Sequence, residues 1–174
     1  MKFIAQIFGF LALLLMFASY QKKQKKDFLH LQVFANIFFG IQYLLLNAIS
    51  ACISSFISII KTIVFYKYEK EDKKISVLTL IIFEIIYIIF GIFTYNGLAS
   101  IIPIFIACVY TYGTWQKNLK LTYSIGVFVA ILWIYYNYIV GAYVAIIGSI
   151  FEFMGSATGL IKLLKDKNNK QEII

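Results

Sequence analysis

The chain has 174 residues, 61% of them apolar and only 14% charged, with 16 basic residues against 8 acids. Soluble domains sit near half apolar and a quarter charged, so this composition excludes an ordinary soluble domain and points to a membrane protein. Every basic residue is Lys, and the lysines fall between apolar runs rather than on one face or arm, which excludes nucleic acid as a partner.

A bilayer core takes roughly 17–25 apolar residues per helix. Runs at 3–20, 28–46, 49–66, 76–94, 98–114, 121–139 and 143–164 therefore predict seven helices with short connections. The first run is preceded only by Lys2 and followed by Lys22, Lys23, Lys25 and Lys26. That charge order is the reverse of a cleaved signal peptide, so the run reads as a retained helix. The second run holds His30, Asn36 and Gln42 and ends at Asn47-Ala48-Ile49-Ser50, which is polar enough for a turn. His30 has no companions at ligand spacing. The third run holds Cys52, Ser54, Ser58 and Lys61, the fourth Glu84, and the fifth Pro103 and Cys108. Both cysteines read as small buried hydrophobes, with no metal spacing and no disulfide framework, and no cofactor is expected. The sixth run holds Trp133 and Asn137, and the seventh Glu152 and Lys162. A solvated tail follows, Lys165–Ile174. Alternating ten-residue segments, the mark of a membrane barrel, are missing.

The lysines also give a direction. They follow the first, third, fifth and seventh runs: Lys22, Lys23, Lys25, Lys26; Lys67, Lys70, Lys73, Lys74; Lys117, Lys120; and Lys165, Lys167, Lys170. The connections 47–50, 95–97 and 140–142 hold none. The positive-inside rule then puts the amino terminus outside and the carboxyl terminus in the cytoplasm, which requires an odd number of crossings.

Ser19-Tyr20-Gln21-Lys22 closes the first run, and Thr114-Trp115-Gln116-Lys117 closes the fifth. This echo predicts two parallel three-helix units, runs one to three and five to seven, joined by the fourth as a linker. The third run reads Ser54-x-x-x-Ser58-x-x-Lys61 and the seventh Gly155-x-x-x-Gly159-x-x-Lys162. Small residues four apart lie on one face and admit a neighbouring backbone. The first echo has an offset of 95 and the second 101, which an insertion of about six residues reconciles. The expected fold is thus an all-α transmembrane seven-helix bundle on a 3+1+3 plan. Its parts are a first bundle at 1–68, a linker with the fourth helix at 69–96, a second bundle at 97–165 and a tail at 166–174.

That plan resembles the SWEET and PnuC-type transporters, in which two three-helix bundles flank a solute pathway. The chain also resembles the YgjV family of bacterial inner-membrane proteins. The likeness rests on Ala5-Gln6-x-x-Gly9, the lysine cluster after the first run, Leu45-x-x-x-Ile49 with Ser50, Ser54 and Lys61, Pro103, and the stretch from Asn137 to Lys162. It implies a multi-pass protein of the bacterial inner membrane. SWEET-type helices carry prolines in several spans; here Pro103 stands alone.

Polar side chains are costly in hydrocarbon and are candidates for function. Glu152 and Glu84 sit mid-span with no lysine a turn away in sequence; each reads either as a solute or proton site or as an interhelical bond. Lys61 either snorkels to the cytoplasmic edge or pairs with Glu152 or Glu84. Asn36 calls for a hydrogen-bond partner and can stitch helices together. Gln42, Trp133 and Asn137 fall in the outer halves of equivalent helices and could wall a solute pocket open to the outside. Gln6 is a further candidate near the outer edge. No phosphate loop, nucleophile elbow or ligand cluster is present, so the chain is not expected to be an enzyme. The expected function is small-solute transport, with membrane lipids, a small polar solute and further copies of the chain as partners. The rival is a non-transporting protein with a lipid-binding or assembly role. A lipid-facing Glu152 or Glu84, or a bundle without a central cavity, would favour that rival.

Overall fold

The computed structural model describes residues 1–20, 25–116 and 118–171, apart from the side chains of 20, 25–28, 119 and 166–171. Among these residues there is no strand. The helices are α1 (Lys2–Tyr20), α2 (Lys25–Leu45), α3 (Ile49–Lys70), α4 (Val77–Phe93), α5 (Ile101–Trp115), α6 (Leu119–Val140) and α7 (Tyr143–Gln171). They follow the apolar runs closely. α3 and α7 extend past them into lysine-bearing turns, because Lys and Glu are good helix formers and hydropathy alone ends too early. The fifth run opens as a 3-10 turn, Leu98–Ser100, before α5 proper. Pro103 is then the third residue of α5, inside the first turn, where its missing N–H costs nothing.

Six helices pack in a closed order, α1–α2–α3–α5–α6–α7 and back to α1, while α4 lies outside against α3 and α5. The sequence of α4 explains its place. It buries only Leu80, Phe83 and Tyr87, one stripe three and four residues apart. Ile81, Ile82, Ile85, Ile88 and Ile89 face outward. A helix apolar all round is at home beside lipid, since lipid tails are as apolar as its own side chains.

The connections 46–48 and 141–142 are the same turn. Ala48 N bonds to Tyr43 O at 2.9 Å and Asn47 N to Leu44 O at 3.1 Å. Ala142 N bonds to Asn137 O at 2.9 Å and Gly141 N to Tyr138 O at 3.3 Å. This is the pattern of a helix closed by a left-handed residue. Asn47 (φ 57°) and Gly141 (φ 74°) are those residues, and Asn and Gly are the types that accept that conformation. α3 and α7 begin at Ile49 and Tyr143, 94 positions apart, the same spacing as Asn47 and Gly141. Those starts need no six-residue insertion. At a spacing of 94, Ser54 and Ser58 correspond to Gly148 and Glu152, not to Gly155 and Gly159. Gly155 also departs from the small-residue expectation: a side chain there would meet no described atom within 4 Å. Of the SYQK and TWQK echo, Gln21, Lys22 and Lys117 lie outside the described residues.

The two ends of the bundle are knit differently. At the Gly141 end, Gln6 Nε2 donates to Gly141 O at 2.8 Å, and its Oε1 accepts from Val144 N at 3.1 Å. Gln6 thus fastens α1 to a free N–H group in the first turn of α7 and to the turn before it. Ser50 Oγ donates to Thr94 O at 3.1 Å, drawing α3 to the end of α4. At the other end Trp115 Nε1 donates to Ile75 O at 3.0 Å, joining the end of α5 to the α3–α4 connection. There Lys73 donates to Glu71 at 2.6 Å and holds its carboxyl below the usual range, in an exposed and solvent-screened pair. Of the lysine clusters read from the sequence, Lys22, Lys23 and Lys117 lie outside the described residues. So do the side chains of Lys25, Lys26, Lys167 and Lys170.

Candidate functional site: a cavity inside the helix ring

The ring encloses a cavity of about 150 Å³. All six ring helices line it and α4 does not. Each of these helices but α1 contributes a stripe at intervals of three and four. On α2 the stripe is Leu29, Gln32, Asn36, Phe39 and Tyr43; on α3 it is Ser54, Ser58, Lys61 or Thr62, and Phe65; on α7 it is Ala145, Ser149 and Glu152. Ile106, Ala107, Tyr110 and Thr114 come from α5, Trp133 and Asn137 from α6, and Met16 from α1. That interval is one face of an α-helix.

The Gly141 end is sealed. The Tyr43 hydroxyl donates to Asn137 Oδ1 at 2.8 Å, and Asn137 Nδ2 donates to Ser149 Oγ at 3.3 Å. Tyr43 stacks on Trp133 at 5.9 Å between centroids, and Tyr136 meets both rings edge-on. Beneath them Ala48, Ala51, Cys52, Ala142 and Ala145 form a buried cluster. Toward the other end the lining residues Leu29, Gln32 and Thr114 are only half-buried.

Five of the polar positions marked in the sequence meet in this cavity: Asn36, Lys61, Trp133, Asn137 and Glu152. No described residue hydrogen-bonds to the side chains of Asn36 or Glu152. Tyr43 and Tyr110 lie within electrostatic range of Glu152. Lys61 is 5% exposed, which the snorkelling reading did not anticipate. Its ammonium donates to Thr111 Oγ1 at 3.4 Å and lies 5.3 Å from the Tyr110 ring centre. Among the described residues no ion pair joins it to Glu152 or Glu84, although Glu84 is within electrostatic range.

Gln42 and Glu84 stand elsewhere. Gln42 faces α1, not the cavity. It is fully buried, its amide packs on the bare backbone of Gly9, and its Nε2 donates to Gln6 Oε1 at 3.5 Å. The reason is angular. Six positions at 100° each turn Gln42 about 120° away from Asn36, whereas Tyr43, seven positions on, returns to the same face. Glu84 sits half-buried on α4 beside the Cys108 thiol, with Oε1 unpartnered among the described atoms. His30 is exposed and packs edge-on to Phe34. Lys162 is exposed. Cys52 and Cys108 are free. Tyr43, Ser149 and Tyr110 were not marked by the sequence; in a chain with 13 tyrosines only the stripe through Asn36 singles Tyr43 out.

Among the described residues five helices carry apolar stretches of 18–23 residues, long enough to cross a bilayer, and Leu29–Leu45 and Val77–Phe93 are shorter apolar helical stretches. Together with the outward-facing isoleucines this defines a multi-pass membrane protein. The chain belongs to the Imp-YgjV family of bacterial inner membrane proteins, whose model matches residues 3–167. No curated protein and no solved structure matches it.

Proposed function

We propose that the protein is a small-solute permease with its solute site in the central cavity. The observation that carries this reading is the cavity itself: an amphipathic chamber ringed by six helices, with Asn36, Asn137 and Glu152 turned inward. Polar groups are costly beside lipid, so a wall of them around an enclosed space is best explained by a polar occupant. Solutes in transporters commonly sit near mid-membrane between repeated units.

Two such units are part of the proposal, α1–α3 and α5–α7 with α4 as linker, a plan that resembles SWEET-type transporters. Three features support it: the common spacing of 94, the matching Asn47 and Gly141 turns, and the ring order. Exchanging α1, α2 and α3 with α5, α6 and α7 carries the contacts α1–α2, α2–α3 and α3–α5 onto α5–α6, α6–α7 and α7–α1. With seven crossings and the lysine-bearing connections in the cytoplasm, the sealed end faces outward and the chamber is reached from inside.

Proteoliposomes carrying the purified protein test this. At least one small polar solute should enter faster than into protein-free vesicles, with or without a proton gradient, and Glu152→Gln should change that rate at least tenfold. A panel of sugars, nucleosides, vitamins and amines of which none moves would contradict the reading.

A further inference from the structure

We infer that the cavity takes a small organic cation, its ammonium group seated against Glu152. This rests on the reading of the cavity as a solute site and specifies the solute.

Three charged side chains stand in mid-span: Lys61, Glu84 and Glu152. Two of them lie within electrostatic range of each other, though no ion pair joins them among the described residues. Lys61, which also lines the cavity, bonds to Thr111, lies near the faces of Tyr110 and Phe65, and shares that range with Glu84. Its charge is thus turned toward Glu84, where α3, α4 and α5 meet. Glu152, on α7, has no such counterpart. No described residue bonds to it, and the groups in electrostatic range are the neutral phenols of Tyr43 and Tyr110. A lone carboxylate in a low-dielectric bundle attracts a cation and repels an anion.

The surrounding wall suits the same guest. Phe39, Tyr43, Tyr110 and Trp133 present ring surface to the cavity, and cations gain from aromatic faces once desolvated. Asn36, unbonded among the described residues, can take a second polar group two turns along α2 from Tyr43. The volume sets the size. A cavity of about 150 Å³ is of the kind that accepts a benzene-sized guest, about six non-hydrogen atoms. Nucleotides, peptides and disaccharides are too large.

The test is binding to the full-length protein in detergent, read by thermal unfolding and by Trp fluorescence. The probes are 4-aminobutan-1-ol, the neutral 1,5-pentanediol and the anion butyrate. The amine should bind saturably, with the diol and butyrate needing at least tenfold higher concentration. Glu152→Gln should abolish that preference, while Glu84→Gln, outside the cavity, should keep it. Should Glu152→Gln fail to fold, Glu152→Asp is expected to weaken the amine at least threefold and leave the diol unchanged. Equal responses to all three probes, or a cation preference that survives Glu152→Gln, would overturn the inference. Binding without uptake in proteoliposomes would remove the permease reading and leave the cation site. Uptake of a neutral solute without amine binding would do the reverse.

Discussion

The Tyr43 hydroxyl donates to Asn137 Oδ1 at 2.8 Å, and the two residues stand 94 positions apart, the interval that also separates Asn47 from Gly141. On the proposed two-unit plan, corresponding positions that touch each other lie beside the axis relating the units. The pair is a side-chain seam between α2 and α6, and it closes the cavity above Glu152.

Removing the seam bond should be tolerated, and removing the ring should not. Tyr43→Phe is expected to cost about 1 kcal/mol, the range of interhelical hydrogen bonds in membranes. Tyr43→Ala should open the Gly141 end. A Ser55→Cys reporter in a Cys52→Ala, Cys108→Ala background would then react with a membrane-impermeant thiol reagent applied from that side. Tyr43→Phe should leave it protected.

The two turns should respond alike to substitution. A β-branched residue strains the left-handed conformation. Asn47→Val and Gly141→Val are each expected to lower stability by about 1–2 kcal/mol. Asn47→Gly should be neutral within a few tenths of a kcal/mol, because Gly adopts this conformation freely. Thermal unfolding in detergent reads all three.

Gly9 is the socket for Gln42. A side chain at Gly9 would place its Cβ 2.7 Å from Gln42 Cδ. Gly9→Ala should destabilise by about 1–3 kcal/mol through overpacking. Gln42→Ala on top of it should recover part of that loss. Equal losses in the single and double variants would show that Gln42 is not what the methyl group meets.

Lys61 and Glu84 should be energetically coupled. Lys61→Met, Glu84→Gln and the double variant form a cycle in which the double loses less than the sum of the singles. The expected coupling is about 0.5–3 kcal/mol. Strict additivity would separate the two charges and weaken the case that Glu152 is the uncompensated one.

How far the site could be read from the sequence differs residue by residue. Glu152 and Asn36 were visible because a polar group amid apolar residues has few places to point but inward. The break before Ile49 was visible because 28–66 exceeds one crossing and Asn47 can close a helix. Gln42 was misplaced because polarity was read without angle: it is polar and mid-helix, but its face meets α1. Tyr43 and Ser149 were missed because Tyr and Ser are ordinary in membrane helices, and only their three-and-four spacing to Asn36 and Glu152 marks them. The closed order of the ring, with α4 outside, depends on which side chains fit against which. Gly9 receiving Gln42 and Gly148 receiving Met16 are relations between helices that hydropathy does not carry.

We propose that Glu152 faces water inside the bundle rather than lipid, and cysteine labelling tests this directly. In a background with Cys52→Ala and Cys108→Ala, Glu152→Cys and Phe151→Cys are compared for reaction with a charged, water-soluble thiol reagent. Phe151 is 43% exposed on the outer surface of the bundle. Rapid labelling is expected at 152, slowed by 4-aminobutan-1-ol, with little labelling at 151. Labelling at 151 with none at 152 would contradict it.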